Sequence, residues 1–329
     1  MNVEPAKPVR KLISVVMPVY NEAPTLPRLL ERLSAMAVGL AYDVEFVFVD
    51  DGCRDDSFAT LVRLGEADPR IRIIRLSRNF GHQIALTAGL DHARGEAVVA
   101  MDSDLQDPPE VIPRLIERWQ EGFEVVYAVR ESRAGESSFK KWSAALHYRV
   151  MRAITSVDIP IDTGDFRLMG RRALEAFKKL REHHRYVRGM VSWVGFAQTG
   201  VLYRREPRFQ GETNYTFKRM VKLSKDGLTA FSMMPLKLAA YLGWMALAAS
   251  IVVLLWVLWL KVVAGTAIPG WASMMCVVLF LMSLQFIILG IMGEYIGRIY
   301  DEVRQRPLYL VDRMIGFDLA AKPRQEVAP

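Results

Sequence analysis

Two long uncharged stretches near the end of the chain constrain its fold more than any other feature. They cover residues 238–260 and 262–293, and only Lys261 separates them. At ~1.5 Å per residue the shorter stretch forms a helix of about 35 Å, enough to cross the ~30 Å hydrocarbon core of a bilayer. Long helices buried in soluble proteins normally keep a polar face. We therefore predict two membrane-spanning helices.

A turn signal, Pro269-Gly270, lies inside the second stretch. It predicts a helical hairpin with its tight end near residues 261–271, because a hairpin satisfies every backbone polar group within lipid. Basic residues collect at the open end of this hairpin, whereas the turn holds only Lys261. The open-end residues are Arg204, Arg205, Arg208, Lys218, Arg219, Lys222, Lys225 and Lys237 before the spans, and Arg298, Arg304, Arg306 and Arg313 after them. By the positive-inside rule, both termini and the domain before residue 237 face the cytoplasm.

Charge and cysteine content agree with a multi-pass protein of the inner (cytoplasmic) membrane. The net charge of +7 and the pI near 9.4 suit an anionic membrane surface. The sequence shows no basic stripe interleaved with aromatic residues, so we expect no nucleic acid partner. The two cysteines, Cys53 and Cys276, fall in the soluble part and in a span, so neither a disulfide nor a cysteine metal site is expected.

Strand and helix patterns alternate before the spans. Apolar β-rich runs cover residues 12–17, 44–49, 71–76, 97–101 and 125–129, and helical patterns cover residues 26–36, 57–66, 84–92 and 110–121. This alternation indicates an α/β domain with a mostly parallel sheet and helices on both faces. Polar residues follow each strand: Tyr20-Asn21-Glu22, Asp50-Asp51-Gly52, Arg78-Asn79, Asp102-Ser103-Asp104 and Arg130. Ligands of open α/β sheets bind at the carboxyl ends of the strands, so we expect the active site there.

Carboxylates stand where glycine-rich nucleotide motifs would be expected. The sequence has no G-x-G-x-x-G after its first strand and no G-x-x-x-x-G-K-[ST], so dinucleotide and P-loop binding are not supported. Asp102 and Asp104 lie one residue apart at a strand end and supply hard oxygen ligands suited to Mg²⁺ or Mn²⁺ beside a substrate diphosphate. The alternative is a solvated loop that caps the helix starting near Pro109.

Four spaced motifs make the interpretation more specific. They are Pro18-Val19-Tyr20-Asn21-Glu22, Val49-Asp50-Asp51-Gly52, Met101-Asp102-Ser103-Asp104-Leu105-Gln106-Asp107-Pro108-Pro109 and Gln210-Gly211-Glu212-Thr213-Asn214-Tyr215. With two spans after them, over roughly residues 12–310, the chain resembles family 2 glycosyltransferases. The nearest branch is the polyprenyl-phosphate glycosyltransferases, which include the bactoprenol glucosyltransferases and dolichyl-phosphate mannose synthase. The resemblance implies a GT-A fold, which is Rossmann-like with a mostly parallel sheet, and a nucleotide-sugar donor.

The same resemblance implies roles for individual donor-site residues. Pro18, Tyr20 and Glu22 are expected to line the nucleotide pocket, and Asp50 and Asp51 to bind the base and ribose. For Glu22 and Asp51 the alternative is capping of the helices that begin near residues 26 and 57.

Metal and phosphate contacts are implied in the same way. Asp102, Asp104 and Gln106 are expected to hold the metal and the donor diphosphate. Near the end of the soluble domain the family motif usually reads G-x-S-K-Y, whereas this chain has Gly211-Glu212-Thr213-Asn214-Tyr215. The missing lysine removes a cation, although Arg208 still offers a bidentate guanidinium to a phosphate.

The acceptor side requires cations rather than a general base. A lipid phosphate is already largely ionised at neutral pH, since the second pKa of a phosphomonoester is about 6. By position, four residues resemble the family's acceptor-phosphate cluster: Arg130, Arg133, Lys140 and Lys141. A solvated basic loop near the bilayer is the alternative for them.

An acceptor-side loop is implied around Asp165 and Arg167. Asp165 is expected to orient a sugar hydroxyl or Arg167, and an ordinary loop aspartate is the alternative. The candidate catalytic residues are Asp102, Asp104, Arg130 and Asp165. Three histidines lack ligand spacing with these carboxylates, and we interpret them as surface or packing residues: His82, His183 and His184.

Residues 217–231 carry apolar side chains on one helical face and basic ones on the other. Such a helix lies in the membrane interface, and packing on the soluble domain is the alternative. We therefore expect four parts: a cytoplasmic catalytic domain (1–215), an amphipathic juxtamembrane helix (216–236), two transmembrane helices (237–294) and a cytoplasmic C-terminal segment (295–329).

Together these features predict an inverting enzyme that moves one sugar from a nucleotide-diphosphate sugar, UDP-glucose first, to polyprenyl (undecaprenyl) phosphate. The resemblance also implies a homo-oligomer. One alternative is a processive polysaccharide synthase, but Leu115 stands where its Q-x-x-R-W motif requires glutamine before Arg118-Trp119. The other is a non-catalytic membrane scaffold, which the intact site aspartates and the uncharged spans disfavour.

Overall fold

The computed structural model describes residues 10–131, 163–206, 234–263 and 270–317. Several predictions fall outside these ranges and stay predictions. They concern the acceptor-site residues Arg133, Lys140 and Lys141, the phosphate-binding Arg208, the motif at 211–215 and the amphipathic helix at 217–231.

The first half of the chain follows the predicted alternation closely. The strands are β1 (Leu12–Val19), β2 (Asp43–Asp50), β3 (Ile71–Leu76), β4 (Ala97–Ala100) and β5 (Val125–Arg130). The helices are α1 (Leu26–Val38), α2 (Ser57–Ala67), α3 (His82–His92) and α4 (Ile112–Gln120), with a 3₁₀ turn at Pro109–Val111. Each predicted element is therefore confirmed.

Further elements, which the sequence pattern did not reveal, complete the domain. They are β6 (Thr163–Gly170), α5 (Arg171–Lys178), α6 (Val187–Trp193), β7 (Gln198–Tyr203) and, near the C-terminus, β8 (Val311–Ile315). The strands form one sheet in the order β7-β5-β6-β4-β1-β2-β3-β8. Strand β1 pairs in parallel with β2 and β4, β2 with β3, and β5 with β7. The sheet is thus mostly parallel, as predicted.

Side chains alternate between the two faces of the sheet and form a core on each. Val15 and Met17 of β1 pack in one cluster with residues of α1, α2 and α4. Val16, between them, packs in the other cluster with residues of α3, α5 and α6. Because both faces of β1 are buried, its sequence is apolar apart from the buried Ser14.

Strand β6 brings a distant segment of the chain to the carboxyl edge of the sheet, where β4 ends. It runs antiparallel to β4, with Ala100 paired to Arg167. The residues before Arg167 therefore extend past the carboxyl end of β4. This register places Asp165 beside Asp102, although 63 positions separate them in the sequence.

Two long helices follow the domain. Helix α7 (Met234–Val263) continues through Lys261, and helix α8 (Trp271–Val303) continues past the predicted end of the second span. The two helices contact each other, and both expose large apolar side chains, including Trp244, Trp256, Phe280 and Phe286. Within the described residues one segment, Phe280–Val303, is long and apolar enough to cross a membrane, and Tyr241–Val253 is a shorter apolar helix. The two-span hairpin stays a prediction.

The chain then returns to the α/β domain. Strand β8 pairs antiparallel with β3, and the backbone N–H of Ser77 donates to the carbonyl oxygen of Leu310 at 2.9 Å. The segment after α8 is therefore an edge of the sheet, which the sequence pattern did not indicate.

Candidate active site

A cavity of about 380 Å³ opens at the carboxyl edge of the sheet, where β1 and β4 end. Six predicted site residues line it: Pro18, Tyr20, Glu22, Asp102, Asp104 and Asp165. The sequence analysis placed these residues in three separate motifs, and the structure brings them together. Five lining residues were missed: His82, Gln83, Ser103, Tyr186 and Arg188.

The loop after β4 has a tight local structure. The hydroxyl of Ser103 donates to the carbonyl oxygen of Pro18 at 2.8 Å, which ties the loop to the end of β1. Asp104 Oδ1 accepts the backbone N–H of Gln106 at 3.1 Å. Leu105, between Asp104 and Gln106, has a φ of 62°, a left-handed conformation that costs a non-glycine residue about 1 kcal/mol or more. Such strain persists only where the surrounding contacts hold it.

Asp102 lies in an acidic environment. Burial raises the pKa of its carboxyl group, and the neighbouring carboxylates of Asp165 and Asp104 raise it further, against the opposing effect of His82. Asp102 Oδ1 is buried and has no hydrogen bond within the described residues, only the Nε2 of His82 at 3.4 Å. A divalent cation here would relieve the repulsion among the carboxylates.

A metal ion fits this donor set only if a ligand completes it. No group of three or more His, Cys, Asp and Glu side chains in the described ranges is arranged to hold a metal. Mg²⁺ and Mn²⁺ prefer oxygen ligands, and Mg²⁺ is commonly held by one or two carboxylates together with substrate phosphates and water. Asp102 and Asp104 therefore suit an ion that arrives with a phosphorylated substrate.

Asp165 makes several polar contacts in the cavity lining. Its Oδ2 accepts the side-chain N–H of Gln83 at 2.9 Å and lies 3.2 Å from His82 Nε2, and its Oδ1 accepts Arg188 Nε at 3.1 Å. A guanidinium nitrogen of Arg167 lies 3.6 Å from Oδ1. Burial alone would raise the pKa of Asp165, but Arg188, His82 and Arg167 hold it well below its usual value. A carboxylate so stabilised is a poor proton acceptor.

His82 corrects the sequence interpretation, because it is neither a packing residue nor a free surface residue. Burial lowers the pKa of its imidazole, but the hydrogen bond to Asp165 and the charges of Asp102 and Asp165 outweigh burial and raise it to about 9. The side chain keeps 44% of its surface exposed. His82 therefore presents a cation to the cavity. Its position at the start of α3, just after a polar strand end, was the signal that could have identified it.

The capping alternatives for Glu22 and Asp51 are wrong. The N-cap of α1 is Thr25, and that of α2 is Asp56, so neither Glu22 nor Asp51 occupies a cap position. Glu22 lines the cavity together with Tyr20, and its role toward a nucleotide stays a prediction.

Asp50 and Asp51 lie next to the cavity rather than in its lining. Asp51 accepts the backbone N–H groups of Phe80 at 2.7 Å and Gly81 at 2.9 Å, and burial raises the pKa of its carboxyl group against those bonds. Asp50 Oδ1 accepts the backbone N–H of Cys53, a free thiol, at 2.8 Å. The roles of both aspartates toward a base and ribose stay predictions.

Gly52 explains how the loop after β2 approaches the loop after β3 so closely. Its φ is 67°, and a Cβ there would lie 2.6 Å from the Arg78 carbonyl carbon. Only glycine satisfies both conditions. The loop after β2 can therefore contact the loop after β3, and Asp51 reaches the backbone at the start of α3.

Arg130, Arg167 and Gln106 also lie outside the cavity lining. Arg130 donates from Nε to the Tyr203 hydroxyl at 3.4 Å, and its guanidinium lies against Gly164. Arg167 is 1% exposed and donates to the Gly164 carbonyl oxygen at 2.7 Å. The acceptor roles of the two arginines and the metal role of Gln106 stay predictions.

Sequence comparison decides the family. Residues 14–177 match the profile of Glycosyl transferase family 2. A protein named uncharacterized glycosyltransferase YkcC, of Bacillus subtilis, is 50% identical over 305 residues, which cover 93% of this chain and 94% of that protein. The chain belongs to glycosyl transferase family 2. The resemblance of its motifs is thereby confirmed.

Relatives of this glycosyltransferase include proteins with more specific names. The prophage bactoprenol glucosyl transferase homolog of Escherichia coli K12 is 37% identical over 302 residues, covering 92% of this chain and 99% of its own length. The bactoprenol glucosyl transferase of Shigella phage SfX is 38% identical over 299 residues, which cover 91% of this chain and 98% of that protein. The family match, together with the mostly parallel sheet, makes the fold GT-A-like. Among solved structures, the mannosyl-3-phosphoglycerate synthase of Rubrobacter xylanophilus is 16% identical, with a TM-score of 0.46 over 67% of this chain and 72% of that one.

Proposed function

We propose that this glycosyltransferase moves a single sugar from a nucleotide-diphosphate sugar, UDP-glucose first, to polyprenyl phosphate. Undecaprenyl phosphate is the expected acceptor. The observation that carries the proposal is the convergence of Asp102 and Asp104 with the cations His82 and Arg188 around one cavity. The relatives named bactoprenol glucosyl transferase, similar over nearly their whole length, support the lipid acceptor.

Asp102 and Asp104 would hold Mg²⁺ or Mn²⁺ together with the donor diphosphate. A bound divalent ion supplies Lewis-acid stabilisation of the negative charge that develops on the leaving nucleotide diphosphate. The buried Asp102 oxygen without a hydrogen bond within the described residues supports this assignment. Tyr20 and Glu22 line the same cavity and would contact the nucleotide.

His82 and Arg188 would allow the acceptor phosphate and the donor diphosphate to bind close together. The acceptor phosphate and the donor diphosphate repel each other, so the site needs fixed cations between them. Asp165 orients both cations by hydrogen bonds to Arg188 Nε and to the imidazole of His82. The acceptor phosphate is already ionised, and attack from the face opposite the leaving group inverts the anomeric carbon.

A membrane location follows from the same proposal. Helices α7 and α8 would form the predicted hairpin in the inner membrane, with the catalytic domain and both termini in the cytoplasm. The exposed apolar side chains of both helices and the segment Phe280–Val303 support this arrangement. The amphipathic helix at 216–236 would bring the lipid headgroup to the domain. We also propose a homo-oligomer, to be tested by light scattering of the purified protein.

Donor screening in detergent tests the function directly. The purified full-length protein would be given undecaprenyl phosphate, Mg²⁺ or Mn²⁺, and in turn UDP-glucose, other UDP-sugars and GDP-mannose, with product mass as the measurement. One sugar per lipid is the expected result. A polymer would instead support a processive synthase, and the absence of nucleotide-sugar binding in calorimetry would support a non-catalytic scaffold. The Asp43→Asn variant, changed at the exposed start of β2, serves as the matched control for site aspartates.

A further inference from the structure

The end of α8 is bonded to the loop between α5 and α6. Glu302 uses both carboxylate oxygens on one residue: Oε1 accepts the backbone N–H of His183 at 2.8 Å, and Oε2 lies 3.2 Å from its Nδ1. His183 Nε2 lies 2.8 Å from the carbonyl oxygen of Arg306, and His184 Nε2 lies 3.1 Å from Asp301 Oδ2. Both ring nitrogens of His183 therefore lie within hydrogen-bond distance of oxygen atoms at the end of α8 and just after it.

This loop continues directly into the wall of the cavity. Arg185 is buried and donates from a guanidinium nitrogen to the carbonyl oxygen of Leu180 at 2.7 Å, which closes the loop on itself. Tyr186 and Arg188 follow, and both line the cavity. A shift of the loop at His183 therefore displaces two side chains of the active site.

The segment after α8 also contacts α3, the helix that begins with His82. The Tyr309 hydroxyl donates to Asp91 at 2.9 Å, and Arg181 donates to both carboxylate oxygens of Asp91 at 2.9 Å. Asp91 lies in the last turn of α3, and the first residue of α3 is His82. Helix α3, which carries His82, and the loop that leads to Arg188 are thus both bonded to the end of α8 or to the segment that follows it.

We propose that Glu302 is a positioning residue of the active site, through which the docked end of α8 sets the place of Arg188 in the cavity. Only the identity of the ligand that Arg188 meets rests on the proposed function. Glu302 differs from an ordinary surface partner such as Glu121, which pairs with Arg118 across one helical turn. An exposed pair constrains only two side chains, whereas Glu302 also fixes the backbone of the loop.

Steady-state kinetics provide the first test. Glu302→Ala is expected to lower kcat/KM about tenfold, because a charge-assisted hydrogen bond and a backbone hydrogen bond are lost together. Glu302→Gln is expected to recover most of that activity, since its amide oxygen still accepts the His183 backbone N–H. Glu121→Ala is the matched control and should leave the kinetics unchanged. If Glu302→Ala lowers only the fraction of protein that is folded, and the folded enzyme keeps its kcat and KM, the proposal is overturned.

A double-mutant cycle identifies the route of the effect. Glu302→Ala and Arg188→Lys should be non-additive, because both act through the guanidinium of Arg188. Glu302→Ala and Tyr20→Phe should be additive, because Tyr20 lies on the loop after β1 and not on the loop that Glu302 contacts. Full additivity with Arg188→Lys would contradict the proposed route.

Hydrogen exchange measures the loop without any substrate. Glu302→Ala is expected to speed amide exchange about tenfold in the peptides that cover residues 179–193, and not in those that cover β1 and α1. Uniform acceleration, or none in the loop, would refute the proposal. If the wild type glycosylates no polyprenyl phosphate but the exchange stays local, the proposed function fails and the positioning role of Glu302 stands.

Discussion

The imidazole Nε2 of His82 lies 3.2 Å from Asp165 Oδ2, and this pair joins the start of α3 to the start of β6 in the lining of the cavity. His82→Ala removes a cation beside Asp102, so we expect turnover to fall about 10²-fold, the usual loss for one preorganised donor. His82→Lys should restore part of it because it restores positive charge. Measurement of kcat and KM for the donor checks this. Unchanged kinetics in His82→Ala would show that the cation takes no part.

Metal removal should abolish activity if Asp102 and Asp104 hold a divalent ion. We expect chelation by EDTA to stop turnover and added Mg²⁺ or Mn²⁺ to restore it. Asp104→Asn should raise the metal concentration needed for half-maximal activity at least about tenfold, because a neutral amide is a weaker ligand for a hard cation. Asp43→Asn is the control. If Asp104→Asn keeps normal turnover with either metal, the assignment is wrong.

Asp165→Asn should cost stability as well as activity. Asp165 compensates the buried guanidinium of Arg167, and removing one partner of a buried ion pair typically destabilises a protein by about 3–5 kcal/mol. Thermal unfolding of the variant in detergent, compared with Asp43→Asn, measures the loss. Normal stability of Asp165→Asn would contradict the role of the Asp165 charge beside the buried guanidinium of Arg167.

The Arg32 network should stabilise the domain in a pH-dependent way. Arg32 makes paired hydrogen bonds of 2.7–2.9 Å with Glu110 and Glu206. Burial alone would raise the pKa of Glu110, but Arg32 lowers it below its usual value. A depressed carboxyl pKa contributes stability that is present at neutral pH and is lost as pH falls through the folded-state pKa.

Arg32→Ala should therefore lower the free energy of unfolding by about 1 kcal/mol at pH 7, a difference that fades below about pH 4. Thermal unfolding across that pH range measures it. Arg118→Ala, which breaks an exposed pair, should have little effect at any pH. A deficit of Arg32→Ala that stays constant into acid would contradict a charge-based role.

The part of the site that follows β1 and β4 could be predicted from the sequence because its residues follow parallel strands. The carboxyl ends of parallel strands meet at one edge, so Tyr20, Glu22, Asp102 and Asp104 were expected together and lie together. The part of the site around Asp165 was harder to predict from the sequence. Strand β6 runs against its neighbours, so its first residues, not its last, reach that edge. Nothing in the local pattern around Asp165 reports this direction.

By itself the sequence determined the alternation of strands and helices, the location of the site edge and the apolar helices at the end, because each depends on local periodicity and on residues adjacent in the chain. Only the tertiary structure decided that His82 faces Asp165, that Arg188 enters the cavity and that Glu302 bonds to His183. These contacts join segments far apart in the sequence. They depend on the pairing of β6 and β8 and on the docking of α8, which no local pattern encodes.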